Sequence, residues 1–324
     1  MKMSFGLFAR QNYRVLIALC ILLVTFVAFF TLHPRHLSVY TLTIWANQGT
    51  CLAFVSMSQA MVVLTAGIDL SVGPILALSN SLASEVVNGS PPHVAFGIFL
   101  VMLTGLACGF INGLVVVVGR IQPIVTTLAT GTVYTGLALF IRPTTGGQIS
   151  EGLSDALTSN LYGIPTSLLL VAGTILLIWV PFRRTNIGRG IYAVGSSEGA
   201  AYMSGLDVNR SKMAAYTLAG LLASFGGLFI GLQTLTGDAM TGPSYTLISI
   251  ASVVLGGTSL SGGIGGALEA IIGAFTLRTI NSMMFFAGAP PLAQPLFEGL
   301  ILMAALSLGG LRLIGMRNRL DLWQ

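Results

Sequence analysis

The run Val15 to Leu32 carries no charged residue, and runs like it recur along the whole chain. A stretch of about 20 such residues is long enough to cross the hydrocarbon of a bilayer as a helix. Charged residues make up only 8% of the 324 positions, against about 25% in a typical soluble domain. Too little charge is left to coat a soluble globule, so the expected fold is an all-α polytopic membrane protein. Lys2, Arg10 and Arg14 precede the first run as they would in a signal peptide. Its length and the lack of a small-residue cleavage site mark it instead as a retained helix.

Nine further spans are expected: Ile44 to Thr65, a third ending near Val87, Val94 to Val118, Ile124 to Ile141 and Thr166 to Phe182, then Met213 to Leu235, Thr246 to Leu255, Ala267 to Phe286 and Gln294 to Leu311. The turn cluster Asn88 to Pro92, a polar loop from Arg142 to Pro165 and the dipeptide Pro290-Pro291 separate several of them. Threading about ten spans with the N-terminus inside places Lys2, Arg10, Arg14, Arg120, Arg183, Arg184, Arg189, Arg210, Lys212, Arg312, Arg317 and Arg319 on the cytoplasmic side. Only Arg35 and Arg142 fall outside, and Arg278 falls within a span. That asymmetry orients the chain with both termini cytoplasmic. It also accounts for the net charge of +5 without recourse to nucleic acid. One membrane domain, residues 1–324, is expected, with residues 183–212 as a basic cytoplasmic loop inside it.

One stretch does not fit an ordinary span. Ala66-Gly67-Ile68-Asp69-Leu70-Ser71-Val72-Gly73 interrupts the apolar sequence between the second and third spans. A carboxylate at the bilayer centre costs roughly 2.5–3.5 kcal/mol on insertion scales, so Asp69 needs compensation. Either Asp69 or Ser71 caps the helix that resumes at Val72, or the helix breaks beside a pathway, as in transporters. The two readings are compatible. A second Gly-rich interruption, Gly256 to Gly266, partly echoes the first, and paired interruptions in two halves of a chain point to a transporter site. The expected helix-break or gate residues are therefore Gly67, Asp69, Ser71, Gly73, Gly256, Gly257, Ser259 and Gly262.

The other acids in or near spans are Glu85, Glu269 and Glu298. Glu269 and Arg278 are out of phase on one helix, so each needs another partner or snorkels to an interface. Glu269 is expected near a cytoplasmic helix end with access to water. Cys20, Cys51 and Cys108 sit in apolar runs and read as small core residues. His33, His36 and His93 lack ligand spacing, so no metal is expected. The Gly-rich segment lacks the Lys and the strand context of a phosphate-binding loop, and no catalytic grouping is visible. Uphill transport would thus draw on an ion gradient or on another subunit.

In the basic loop, Ser196 to Gly205 reads as a short helix. Ser196 or Ser197 caps it, Glu198 suits its first turn, and Gly205 suits the position after its end. With small Gly199, Ala200 and Ala201 behind Tyr202 and Met203, it reads either as a compact knob for a groove in a partner or as a plain surface helical turn.

Together these residues resemble the membrane-spanning subunits of bacterial ATP-binding-cassette importers for ribose, xylose, galactose, fructose and related simple sugars. Gly67-Ile68-Asp69-Leu70-Ser71-Val72-Gly73 matches one signature. Val254-Leu255-Gly256-Gly257-Thr258-Ser259-Leu260 with Gly262-Gly263 matches a second. Ile111-Asn112-Gly113, Ile121-Gln122-Pro123 with Thr127-Leu128, Gly188-Arg189 with Tyr192-Ala193-Val194-Gly195, and Ser204-Gly205-Leu206 match further motifs, over roughly Gln48 to Gly310.

The resemblance implies that Glu198, Gly199, Ala200, Ala201, Tyr202, Met203 and Gly205 form the segment that docks on an ATPase subunit. The family's leading Glu would fall on Gly199, whereas here it is Glu198. The last helix commonly begins Lys-Gly, and here it reads Glu298-Gly299. Implied partners are an ATPase subunit carrying ATP and Mg, a periplasmic sugar-binding protein, and a second permease copy or paralogue in an inner membrane, with no cofactor bound by this chain. Asn47, Gln48, Gln59, Asn112 and Gln122 are the candidate pathway residues, because a neutral polyol can pass on hydrogen-bonding groups without a buried charge. A permease for branched-chain amino acids or nucleosides, or an ion-coupled secondary transporter using Asp69, stands as the alternative.

Overall fold

The structure, a computed structural model, describes residues 13–33 and 37–290 together with Ala293, Leu296, Phe297, Gly299, Leu300 and Met303. Most of the tenth expected span, Glu298, and the charges Lys2, Arg10, Arg35, Arg312, Arg317 and Arg319 lie outside the described residues.

The chain is a multi-pass, all-α membrane protein. Its helices are α1 (Tyr13–Leu32), α2 (Val39–Val63), α3 (Val72–Val86), α4 (Pro91–Val117), α5 (Pro123–Ile141) and α6 (Glu151–Thr158). A minimal antiparallel pair, β1 (Asn160–Leu161) and β2 (Ile164–Pro165), follows. Then come α7 (Thr166–Thr174), α8 (Val180–Arg184), α9 (Asn186–Ser196), α10 (Glu198–Met203), α11 (Val208–Thr234), α12 (Gly242–Leu255) and α13 (Ala267–Phe286). A π-helical turn, Ile175–Trp179, joins α7 to α8 into one rod, Thr166–Arg184.

Helix starts follow local chemistry. The Ser38 hydroxyl accepts from the Thr41 amide at 3.2 Å, so α2 begins at Val39, a turn earlier than its apolar run suggested. Prolines occupy the first turns of α4, α5 and α12, where their missing N–H is not needed. Asp207 caps α11 by accepting from the Arg210 amide at 2.9 Å.

Among the described residues, five rods are long and apolar enough to cross a membrane: α1, α4, α5, the α7–α8 rod and α11. The rest of the bundle explains itself by residue. Every residue of α2 from Gly49 to Val63 is buried, so this polar-speckled helix is a central post faced by protein on all sides. With 15 and 14 residues, α3 and α12 measure about 22 and 21 Å at 1.5 Å per residue, short of a hydrocarbon core of about 30 Å.

The long helix α11 packs along α4, α2 and α3, and α13 lies against α2, α1 and α12. At the α4–α11 crossing a Cβ on Gly220 would stand 2.1 Å from the Gly105 carbonyl oxygen. Two backbones meet there in the small-residue manner of membrane helices.

Two expected loops are more structured than composition implied. Within residues 142–165 sit α6 and the β hairpin, and Arg142 makes an ion pair with Glu85 at the far end of α3. Most of residues 183–212 is helical, because Thr185 caps α9 through the Gly188 amide at 3.0 Å and Ser197 caps α10 through the Ala200 amide at 3.3 Å. Polar sequence with well-placed caps forms helix as readily as an apolar run does.

Candidate functional site

The first interruption is a folded junction. Helix α2 ends at Val63 and α3 starts at Val72. Ala66 adopts a left-handed φ of 62°, and Asp69 is buried at 1% exposure.

The Asp69 carboxylate does not cap α3. Its Oδ1 accepts from the Ser71 amide at 2.8 Å and from the Ser71 hydroxyl at 2.6 Å, the short loop closure that Asp makes with backbone two residues on. Ser71 is the N-cap residue of α3 and makes no side-chain capping bond. The Ser71 hydroxyl in turn accepts from Asn112 Nδ2 on α4 at 2.7 Å. Asn112 Oδ1 lies 3.1 Å from the Tyr134 hydroxyl of α5, which shares its proton with the Cys108 carbonyl at 3.0 Å.

Two more side chains clamp the main chain of the junction. Thr127 Oγ1 on α5 accepts from the Leu70 amide at 2.9 Å. From α2, the Gln59 carboxamide brackets Asp69: Nε2 donates to the Asp69 carbonyl at 2.8 Å and Oε1 accepts from the Asp69 amide at 3.3 Å. The Tyr216 hydroxyl of α11 is buried beside Gly67 and has no hydrogen-bond partner among the described residues. Side chains from α2, α4 and α5 therefore hold the junction around the buried Asp69 carboxylate.

The second interruption runs from Gly256 to Gly266 and lies directly against the first. The Gly263 amide donates to the Leu64 carbonyl at 3.1 Å. A Cβ on Gly262 would stand 2.8 Å from the Ala66 nitrogen, and one on Gly195, at the end of α9, would stand 1.9 Å from the Leu64 oxygen and 2.6 Å from the Gly263 nitrogen. Three motifs that are distant in sequence thus share one contact.

Within the second interruption the Ser259 amide donates to the Ile264 carbonyl at 3.0 Å, and Gly257 turns with φ 99° beside Arg14 of α1. The Tyr192 hydroxyl of α9 donates to the Gly265 carbonyl at 3.0 Å. Burial pushes that phenol up to about 12, so it stays a neutral donor. A further backbone meeting joins Gly73 of α3 to Gly242 of α12. A Cβ on Gly73 would stand 2.1 Å from the Gly242 oxygen, so the N-terminal turns of the two short helices touch.

One residue beyond α9 the chain enters α10. Glu198 pairs with Lys212 of α11 at 2.7 Å. The Leu206 amide donates to the Ala201 carbonyl at 3.1 Å and the Gly205 amide to the Tyr202 carbonyl at 3.0 Å, with Gly205 at φ 77°. This is the glycine-terminated helix end in which the orphan carbonyls are satisfied. Ala201 turns inward against Val194 and Val208. Tyr202 and Met203 are 75% and 83% exposed, a large apolar pair presented outward on a capped, pinned turn, while Gly199 and Gly205 have open space around them.

The five amides read as pathway residues do not converge. Gln59 and Asn112 hold the junction, and Asn47 ties α2 to α6 and α11 through the Thr158 carbonyl at 2.6 Å and Gln233. Exposed Gln122 precedes α5. Gln48, whose Oε1 accepts from Ser282 at 3.2 Å, lines a cavity of about 300 Å³ between α1, α2 and α13, which Arg278 also enters. Arg278 makes no ion pair among the described residues and its Nε is buried without a partner. Glu269 lies in the first turn of α13, half-buried beside Gly266. Among the described residues no cluster of His, Cys, Asp and Glu could hold a metal. Sequence reasoning missed Tyr134, Tyr216 and the closeness of Gly195 to both interruptions. Only Gly195 carried a signal, as the last residue of a matched motif.

Residues 41–306 match the family model described as the branched-chain amino acid transport system / permease component. The chain is 35% identical over 281 residues to the ribose import permease protein RbsC of Bacillus subtilis (strain 168), covering 86% of this chain and 87% of that protein. It is 31% identical over 297 residues to RbsC of Escherichia coli (strain K12), covering 89% and 91%. The autoinducer 2 import system permease protein LsrD of Escherichia coli O9:H4 (strain HS) is 26% identical over 300 residues, 90% of each chain. No solved structure matches. A family match over residues 41–306, most of the length, places the chain in the branched-chain amino acid transport system / permease component family.

Proposed function

We propose that this chain is the membrane-spanning subunit of an ATP-driven importer and forms the path for a monosaccharide or related polyol. The observation that carries the reading is the shared contact of Leu64, Gly195 and Gly263. It mechanically joins the base of the α10 knob to both helix interruptions. A push on α10 would be delivered at the junction that positions Asp69. The relatives named for ribose and autoinducer 2 import support a polyhydroxylated substrate.

In this reading the chain crosses a bacterial inner membrane ten times with both termini cytoplasmic. Residues 1–324 form one permease domain, and residues 183–212 form the coupling loop. Glu198, Gly199, Ala200, Ala201, Tyr202, Met203 and Gly205 dock on a separate ATPase subunit that holds ATP and Mg. A periplasmic binding protein delivers the sugar, and a second permease copy or paralogue completes the pathway. The two interruptions act as the inner gate.

The test is reconstitution in proteoliposomes with a partner ATPase and a sugar-binding protein. The chain alone should hydrolyse no ATP, and the complex should take up labelled sugar only with ATP. Uptake by the chain alone on an ion gradient would overturn the reading in favour of an Asp69-linked secondary transporter. The family description supports a second substrate class, branched-chain amino acids, so labelled ribose and labelled leucine should be compared in the same vesicles.

A further inference from the structure

At the end of the α7–α8 rod nearest α9, the chain walls a groove of about 560 Å³. Its floor is apolar. Ile175 and Val180 come from the π-helical turn and the residue after it, and Leu268 comes from the first turn of α13. Trp179, 5% exposed, closes one side and packs on the second interruption, where a Cβ on Gly266 would stand 3.0 Å from its ring. The rim is made of Arg183, Arg184 and Arg189.

These three cations make no ion pair with any described carboxylate. Arg183 lies over the Tyr192 ring at 5.4 Å, and Arg189 donates to Asn186 at 2.7 Å. Glu269, next to Leu268, sits beside Gly266 where Trp179 and Tyr192 also meet the second interruption, and it acts on the Tyr192 hydroxyl together with Arg183 without forming an ion pair with that arginine. On the same rod, Leu176 and Leu177 are 64% and 79% exposed.

We propose that this groove binds an anionic phospholipid, with the phosphate on Arg183, Arg184 and Arg189 and the acyl chains along Ile175, Val180 and Leu268. Guanidinium groups without a carboxylate partner over an apolar floor match the two ends of such a molecule, and basic pockets between membrane helices on the cytoplasmic side are a known mode of headgroup recognition. A zwitterionic lipid brings no net charge to three arginines. A soluble anion leaves the floor uncovered. The orientation used here rests on the topology proposed above. Through Trp179 and Tyr192, both seated on the Gly256–Gly266 segment, an occupied groove would brace the second interruption.

The first experiment is native mass spectrometry of the full chain purified in mild detergent, then exposed to phosphatidylglycerol or to phosphatidylcholine of the same chain length. Wild type should retain phosphatidylglycerol selectively. The Arg184→Gln/Arg189→Gln variant should lose retention by roughly tenfold or more, since each cation near a lipid surface contributes appreciably. Arg120→Gln/Arg210→Gln removes the same charge elsewhere and should retain it. Equal loss in both variants would reduce the effect to general surface charge and overturn the site. Unchanged retention in the first variant, with lost binding of the partner ATPase, would reassign the rim to a protein contact.

A second measurement does not depend on the arginine variants folding. In a Trp45→Phe/Trp323→Phe background, brominated phosphatidylglycerol placed in one leaflet should quench Trp179 when it is in the cytoplasmic leaflet, and brominated phosphatidylcholine should quench far less. Selective quenching from the opposite leaflet would leave the site standing and overturn the topology. No selectivity from either leaflet would overturn the site itself.

Discussion

Leu64 and Gly263 are joined backbone to backbone, with the Gly263 amide donating to the Leu64 carbonyl at 3.1 Å, and Gly195 is wedged against both atoms. This single meeting point fixes the end of α2, the middle of the second interruption and the exit of α9. Displacement at any one of the three is felt at the other two, because nothing softer than backbone separates them.

Gly195→Ala should therefore be more damaging than its one added methyl suggests. The new carbon would stand 1.9 Å from the Leu64 oxygen, and overpacking of this kind costs about 1–3 kcal/mol. Thermal unfolding in detergent should show a lowered midpoint, and substrate-stimulated ATP hydrolysis by the reconstituted complex should fall. Gly199→Ala, with no atom near its added carbon, should leave the midpoint unchanged. Identical midpoints for the two variants would refute the wedge.

Asp69→Asn should be milder than Asp69→Leu. The amide keeps an oxygen for the Ser71 amide and hydroxyl, whereas Leu strands both donors in a buried site at about 1–3 kcal/mol per unsatisfied group. Stability and uptake should fall together in the Leu variant and only slightly in the Asn variant. Complete loss of uptake in both, with normal assembly, would show that the charge itself is required.

Tyr202→Ala and Met203→Ala should leave folding intact, because both side chains are mostly exposed, while weakening retention of the ATPase subunit on affinity purification. Large exposed apolar side chains clustered on a rigid turn are the usual anchors of an interface. Undiminished retention in the double variant would exclude α10 as the docking element. The Glu198–Lys212 pair is partly exposed, so Glu198→Gln should change stability by no more than about 1 kcal/mol.

Gly205→Ala should cost about 1–2 kcal/mol although its surroundings are empty, since φ of 77° places an L-residue in the left-handed region. Gly205→Asn should recover part of that loss because Asn tolerates this conformation. Unfolding midpoints in the order Gly, Asn, Ala would support the assignment. An Ala variant as stable as wild type would contradict it.

What the sequence determined by itself was whatever depends on neighbours along the chain. Apolar runs, the turn cluster Asn88 to Pro92 and a cap at Ser196 or Ser197 located most helices to within a few residues, and Gly67, Asp69 and Ser71 located the break. Gly205 marked the end of α10 because no other residue type takes up a left-handed φ so readily. The starts of α2 behind Ser38, α9 behind Thr185 and α11 behind Asp207 are not legible from hydrophobicity, because side-chain caps rather than apolar runs set them.

Only the tertiary structure decided which long-range partners satisfy the polar groups. It placed Gln59 and Asn112, expected along a pathway, as clamps on the Asp69 junction, and it brought Leu64, Gly195 and Gly263 together. The physical reason is that a buried amide or backbone carbonyl in a membrane protein must find a partner. Several helices can offer one, and the packing of the whole bundle selects among them.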